Sequence, residues 1–357
     1  MIAARTSESE NESRLAPAEV GITEAGAAFP ALPAVVSEPG QKGRVEVARL
    51  LLPSLGIRPT DLVVAFELAG AVMEQRVKFN KSFRQCQSDL SEQSIHDVRV
   101  HCRRLIARLA LVKAALPGFN LDPVIRSLKR FLKTFGELRD VQVQKQGLSF
   151  DLSEHTELAD LWRELGRKEC DLKRAAVLRT GRFKLRKLNR RLQNLENELT
   201  DPTARLAAKT TLPTAVIQGL EGAYAEVVRR QRSCRLSISS GLHGVRKAYK
   251  KFRYMVESLP PSVARPSPAQ LSAMGNYQTA MGKIQDVAVL QGLVIDYAER
   301  FPKMAASIER FRGVLQERRR ALTEEYLSQA DSLLSFWPLP PAPREVGAPA
   351  PLWKSRK

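Results

Sequence analysis

From Val45 to about residue 335, apolar residues recur every three or four positions, which is the spacing of one buried face on an α-helix. No stretch alternates between apolar and polar residues for long enough to indicate a β-strand. Prolines and glycines divide the helical pattern at four places: residues 116–118, 201–202, 260–268 and 338–351. The pattern therefore predicts an all-α fold.

The two ends of the chain lack this periodicity. Residues 1–42 are rich in Ala, Glu, Ser, Gly and Pro, which predicts a disordered tail. Residues 336–357 are predicted to form a Pro-rich tail. The helical region between them, residues 43–335, is long enough to bury one large hydrophobic core or two smaller ones.

The helical region contains an internal repeat. The segment Ile95–Leu105 aligns with Leu242–Phe252 at an offset of 147 residues, and both carry a His followed three positions later by Arg. Downstream, Phe135–Val143 aligns with Met281–Val289 at an offset of 146 residues. Two aligned pairs at nearly the same offset indicate a duplicated unit. We therefore predict two similar halves, about residues 45–200 and 212–335.

Each copy of the His-containing segment predicts an amphipathic helix with a cationic stripe. At about 100° per residue, His96, Arg99 and Arg103 fall on one side of the first helix, opposite an apolar face. The second copy repeats this stripe with His243, Arg246, Lys250 and Arg253. Solvation of a surface gives no reason for His to recur in register, so the pairing favours a shared binding role.

The start of the first of these helices is predicted from capping residues. Ser94 is the expected N-cap, with Asp97 three residues on in the manner of a capping box, which puts His96 in the first turn. A His in that position beside arginines lies in positive potential, which favours its neutral form. An anionic ligand is therefore expected to draw in a proton when it binds.

A further stripe with three-and-four spacing is predicted on another helix, and its members are Arg126, Lys129, Arg130 and Lys133. Arg offers two parallel hydrogen bonds to phosphate oxygens, whereas Lys contributes a point charge, and a mixture of the two suits a repeating phosphate chain. Asp140 and Asp286 are interpreted as helix caps or salt-bridge partners, because a carboxylate repels an anionic ligand.

The net charge of the chain indicates which class of ligand it binds. The chain has 57 Lys and Arg against 38 Asp and Glu, a net charge of +19, which indicates a polyanionic partner. Nucleic acid, an anionic membrane surface and inorganic polyphosphate all meet this requirement. No segment is apolar enough for a signal peptide or a membrane span, so no membrane association is expected. The four cysteines form no C-x-x-C pair, which favours a reducing cytoplasm over a zinc site or a disulfide framework.

Motifs for phosphate chemistry are missing from the sequence. There is no carboxylate cluster to hold a metal ion, and Gly275–Lys283 departs from a P-loop because six residues instead of four separate its glycines. We read this segment as a helix with small residues at a packing contact. The sequence therefore predicts a binding protein without enzymatic activity, metal or cofactor.

The run His-x-x-Arg-x-x-x-Arg-Arg at 96–104, its partner His-x-x-Arg-Lys-x-x-Lys-Lys-x-Arg-Tyr at 243–254, and the Arg-Asp pair at 139–140 resemble the CHAD domain, the conserved-histidine α-helical domain. The resemblance covers about residues 45–335. It implies two four-helix bundles related by pseudo-twofold symmetry, with a basic cleft between them that binds inorganic polyphosphate, sometimes at polyphosphate granules. By position it assigns phosphate contacts to His96, Arg99, Arg103, Arg104, His243, Arg246, Lys250, Lys251 and Arg253.

Two features set the chain apart from many family members. Ile106 stands where the second copy has Arg253, so the first half is expected to lack one phosphate contact. Many members also carry a CYTH triphosphate-hydrolase domain, which is marked by a Glu-x-Glu-x-Lys strand. The nearest segment, Val45–Arg49, has one glutamate and no lysine, so a stand-alone CHAD domain is predicted.

Two other functions fit the charge. Binding of nucleic acid without sequence specificity would release counterions from any phosphate backbone. Against it stand the low aromatic content of 6% and the lack of a helix-turn-helix, RRM or zinc-finger signature. A granule scaffold would use the Pro-rich ends as tethers and polyphosphate as its docking surface. The oligomeric state and whether the two stripes face one cleft stay open.

Overall fold

The computed structural model describes residues 58–201, 210–234 and 238–338. Within these ranges the chain is helical and contains no β-strand, which confirms the predicted all-α fold. The predicted tail at residues 1–42 lies outside the described residues, as do residues 339–357 of the predicted Pro-rich tail.

The described residues form ten α-helices and three short 3-10 helices. The first half contributes α1 (Pro59–Ser88), α2 (Glu92–Ala115), α3 (Asp122–Thr134), α4 (Gly136–Ser149), α5 (Ala159–Gly181) and α6 (Leu185–Thr200). The second half contributes α7 (Leu212–Cys234), α8 (Ile238–Val256), α9 (Pro268–Arg300) and α10 (Ala305–Ser328). Helices α2, α6 and α8 end just before the breaks that the prolines and glycines predict.

The order of the helices repeats at the offset found in the sequence. Helix α5 follows a 3-10 helix at Thr156–Leu158, and α10 follows one at Pro302–Met304. Helix α9 occupies the position of α3 and α4 together, because the chain breaks at Phe135 in the first half and stays helical at the equivalent position in the second. Helix α6 has no equivalent among the described residues of the second half, which end with the 3-10 helix Ala330–Ser335.

Two hydrophobic cores form, and each takes helices from both halves. The larger core joins α1, α2, α3 and α6 of the first half to α7, α8 and the first part of α9. The smaller core joins α4 and α5 to the second part of α9 and to α10. The boundary between the cores therefore differs from the boundary between the halves, and the halves stabilise each other by shared apolar burial.

The larger core extends past the expected end of the domain. The side chains of Phe336 and Trp337 are buried, and the Phe336 ring lies 6.1 Å from the Tyr249 ring and 5.5 Å from the Tyr277 ring, centroid to centroid. The predicted start of the Pro-rich tail at residue 336 is therefore wrong. The rings of Phe336 and Trp337 add to the apolar surface that is buried in the larger core, although the sequence around them is Pro-rich.

Replacement of Phe336 by Ala is expected to lower the free energy of unfolding by about 3 kcal/mol, because it leaves a cavity beside two buried tyrosines. Chemical denaturation followed by circular dichroism measures the change. The matched control is Leu334→Ala, whose side chain is 56% exposed, and it should cost about 0.5 kcal/mol or less. If both changes lower the free energy of unfolding by the same small amount, residue 336 does not belong to the core.

Candidate functional site

Helix α2 begins one turn earlier than its sequence predicts. Ser91 is the N-cap, and its hydroxyl oxygen accepts the backbone N–H of Ser94 at 3.2 Å. Ser94 is buried, and its hydroxyl donates to the backbone carbonyls of Asp89 and Ser91. The predicted N-cap at Ser94 is wrong, and His96 lies in the second turn. The helix dipole falls off within the first turn, so it acts on His96 less than expected.

Arg99 is the most buried cation of the α2 stripe. Its side chain is 8% exposed, and Nη1 donates to the Leu132 carbonyl at 3.3 Å in the last turn of α3. The same carbonyl accepts the backbone N–H of Phe135, so Arg99 adds a second donor at the C-terminal end of α3. Burial, with a further contribution from Arg103, lowers the pKa of Arg99 to about 10. One predicted phosphate contact thus also has a structural task.

The cations of α2 and α8 act on one another. Burial, followed by repulsion from Arg246, Arg103 and Arg99, lowers the pKa of Lys250 on α8 to about 7, although Asp286 opposes the change. Burial also lowers the pKa of Arg246, Asp286 raises it, and Arg103 lowers it again. Since Arg103 lies on α2 and the affected groups lie on α8, charges from the two halves are close in space. We call Arg99, Arg103, Arg246 and Lys250 the central cluster.

Two aspartates balance part of the charge of the central cluster. Asp140 on α4 interacts with Arg99, Arg103 and Arg246, and Asp286 on α9 interacts with Arg246 and Lys250. Burial raises the pKa of both carboxyls, while the cations oppose that rise. Both residues lie inside helices, so their predicted role as caps is wrong. Four cations facing two carboxylates leave an excess of positive charge.

Arg246 lies against the backbone of α9. A Cβ atom at Gly282 would be 3.6 Å from its Nη2 and 3.8 Å from its Nε, so a side chain longer than that of alanine would displace the guanidinium. The Nε of Arg246 is buried and has no hydrogen-bond partner among the described residues. This contact agrees with the interpretation of Gly275–Lys283 as a helical packing segment. An unpartnered buried donor is also what a missing ligand atom would leave.

The two repeated histidines are exposed and have different surroundings. The pKa of His96 is lowered, first by partial burial and then by Arg139 of α4. The direction agrees with the prediction, and the predicted neighbours Arg103 and Arg99 contribute to it, but burial and Arg139 are the larger causes. His243 Nδ1 lies 3.3 Å from Oε1 of Gln285 on α9. Each histidine therefore faces the helix that carries the downstream aligned segment of its own half.

Arg104 and Arg253 converge on one carboxylate. Glu257 lies 3.3 Å from Arg104 and 2.7 Å from Arg253, and both guanidinium groups lie about 6 Å from the Tyr254 ring. Arg104 belongs to α2, so this cluster links the two halves. Both arginines were predicted to contact phosphate, and the structure gives each a carboxylate partner. The only sequence signal for Glu257 is its position four residues after Arg253.

The remaining predicted residues lie on exposed surfaces. Lys251 is exposed on α8, and the four members of the α3 stripe are exposed as well. Arg126 and Arg130 line a groove between α3, the end of α5 and α6, and no member of the central cluster lines that groove. Lys129 and Lys133 do not line it either. The predicted stripe is thus divided between a groove and open surface.

In the part of the chain that the structure describes, no group of three His, Cys, Asp or Glu side chains could hold a metal ion. None of the described helices combines the length and the apolar character that a membrane span requires.

Comparison with known proteins identifies the family. The CHAD domain model matches residues 71–294, which include α2 and α8, and no CYTH domain is detected in the sequence. The crystal structure of the CHAD domain from the plant Ricinus communis matches with a TM-score of 0.59 and 17% identity. The match covers 76% of this chain and 92% of the plant chain. No curated protein matches. With more than half of its length matched and the fold shared, the chain belongs to the CHAD domain family.

Proposed function

We propose that this chain binds inorganic polyphosphate through the central cluster and that it acts as a binding protein, not as an enzyme. The observation that carries the proposal is the convergence of cations from α2 and α8, where burial, followed by repulsion from Arg246 and Arg103, lowers the pKa of Lys250 to about 7. Repulsion of this kind destabilises the unliganded protein, and a polyanion between the two helices would remove it.

The chemistry of the central cluster supports a phosphate chain as the ligand. Three guanidinium groups offer paired donors to phosphate oxygens, and one ammonium adds a point charge. A hydrogen bond to a charged group contributes about 1.5–3 kcal/mol, so four such contacts contribute about 6–12 kcal/mol, a range that includes the roughly 8 kcal/mol of micromolar binding. Polyphosphate binding is also what the resemblance to the family implies.

The aromatic residues beside the α8 stripe argue against nucleic acid as the preferred ligand. Single-stranded nucleic acids gain affinity by stacking their bases on exposed rings. The rings of Tyr249, Phe252 and Tyr254 are all buried, at 0%, 0% and 7% exposure. A ligand that consists of phosphates alone needs no such ring.

The proposed architecture places α2 and α8 on either side of a basic cleft, with the two halves related by pseudo-twofold symmetry. The repeated helix order and the contacts of Arg104 and Arg253 with Glu257 support this arrangement. We place the protein in the cytoplasm, in association with polyphosphate granules where these are present. A scaffold role would add protein partners at the Pro-rich ends.

The double variant Arg103→Gln, Arg246→Gln should bind long-chain polyphosphate about 100-fold more weakly, because two charge-assisted contacts worth about 3 kcal/mol together are lost. Titration at physiological salt measures this, with single-stranded RNA and duplex DNA as competitors at equal phosphate concentration. The matched control Lys81→Gln, Arg84→Gln removes the same charge from exposed positions on α1 and should bind nearly as well as the parent. Equal competition by RNA, with no loss in the double variant, would contradict the proposal.

Binding should take up a proton at Lys250. Its ammonium faces Arg246, Arg103, Arg99 and Asp286, and its pKa of about 7 leaves it mostly neutral at pH 8 in the free protein. A polyanion raises that pKa, so the stabilisation by charged lysine is complete below pH 7 and is lost as the pH rises through the pKa of the complex.

Calorimetry at pH 8 in two buffers with different ionisation enthalpies measures this uptake, and we expect up to about one proton per ligand. The pKa of His96 lies below its usual value, so His96 contributes only at lower pH. The control Lys250→Arg keeps its charge at pH 8 and should show no uptake. Equal proton uptake by the parent and the Arg variant would assign the proton to another group.

A further inference from the structure

A second basic surface lies between α3, the end of α5 and the start of α6. It is a groove of about 550 Å³, lined by seven basic side chains and no acidic one. Arg126 and Arg130 form the α3 wall, and residues that include Arg182, Lys187 and Arg191 form the opposite wall. The guanidinium groups outnumber the ammonium groups, as in sites that recognise phosphate by paired hydrogen bonds.

The cations of this groove lack the carboxylates that accompany other surface arginines. Along the exposed helices, arginines commonly pair with an acidic residue three positions earlier, as in Arg163–Asp160, Arg312–Glu309 and Arg320–Glu317. None of the seven groove cations forms an ion pair with a carboxylate of residues 58–201, 210–234 or 238–338. Asp122, the ion-pair partner of Lys113, also interacts with Arg126 at the edge of the groove. The remaining positive charge of the groove attracts an anion.

The position of these charges on α6 is unfavourable for the helix itself. Its first turn has no acidic residue and contains Lys187, and its N-cap, Lys184, makes no side-chain capping bond. A cation near the positive end of a helix dipole costs about 0.3–1 kcal/mol. A bound polyanion would offset this cost.

The groove is separate from the central cluster and favours a ligand without bases. It shares no lining residue with the cluster, and α6 lies outside the repeated helix order. Its aromatic residues, Phe131 and Phe183, pack against each other with ring centroids 4.7 Å apart. Phe131 is 3% exposed, so its ring is not available for stacking on a base.

We propose that this groove is a second polyphosphate site, so that one protein molecule holds two phosphate segments at once. The inference rests on the proposed function, because it assigns the same ligand to a different surface. Two sites raise the avidity for a long chain that reaches both, and they allow one protein to cross-link two chains. This gives the protein the means to condense polyphosphate without a protein partner.

The first measurement is calorimetric titration with linear tripolyphosphate, for which the parent should bind two equivalents. The groove variant should bind one equivalent, and its changes are Arg126→Gln, Arg130→Gln, Lys187→Gln and Arg191→Gln. The control variant removes the same charge outside the groove and should bind two, and its changes are Lys81→Gln, Arg84→Gln, Arg186→Gln and Arg190→Gln. Circular dichroism checks that both are folded.

Light scattering with long-chain polyphosphate gives the second readout, since the parent and the control should cross-link chains and the groove variant should not. The proposal is overturned if the groove variant binds two equivalents of tripolyphosphate or if the parent binds only one. It is also overturned if the control variant loses as much binding and cross-linking as the groove variant. Equal displacement by RNA at the groove would also overturn it. The double variant Arg103→Gln, Arg246→Gln separates the two proposals. If it still binds two equivalents while the groove variant binds one, the central cluster is not a binding site and the groove is.

Discussion

The fold holds positively charged side chains of its two halves close to one another, and the rest of the structure has to counter their repulsion. Arg103 on one half and Arg246 and Lys250 on the other repel one another. The opposite, apolar faces of α2 and α8 are buried in the larger core, and this burial counters the repulsion. The fully buried side chains on these faces are those of Val98, Cys102, Leu105, Val245, Tyr249 and Phe252. Each of these buried side chains stabilises the pairing of the two helices by about 2 kcal/mol.

The two aligned segments of the sequence carry residues at equivalent positions, and a helix break in the first half gives these residues different contacts. Arg99 and Arg246 occupy the same position in the repeat. In the first half α3 ends at Thr134, and Arg99 donates to the Leu132 carbonyl. In the second half α9 continues through the equivalent position, and Arg246 lies against Gly282 with an Nε that has no hydrogen-bond partner among the described residues.

Periodicity and breaks in the sequence were enough to predict the helical fold, the repeat and the apolar faces of α2 and α8. They could not predict which faces pack together, because a 3.6-residue period says nothing about partners. The shared cores and the contact of Arg104 with Glu257 depend on such tertiary pairing. The sequence pattern alone pointed to Ser94 as the cap of α2, but Ser94 is buried and Ser91 accepts its backbone N–H.

Titration of the Lys250 ammonium by nuclear magnetic resonance, in the absence of ligand, tests most directly whether α2 and α8 form one site. The Lys250→Arg variant assigns the signal. A pKa near 7 in the parent, which rises toward the usual lysine value in Arg103→Gln, is the result expected if the two stripes face each other. A parent pKa near 10.4, or a value that Arg103→Gln leaves unchanged, would contradict the account.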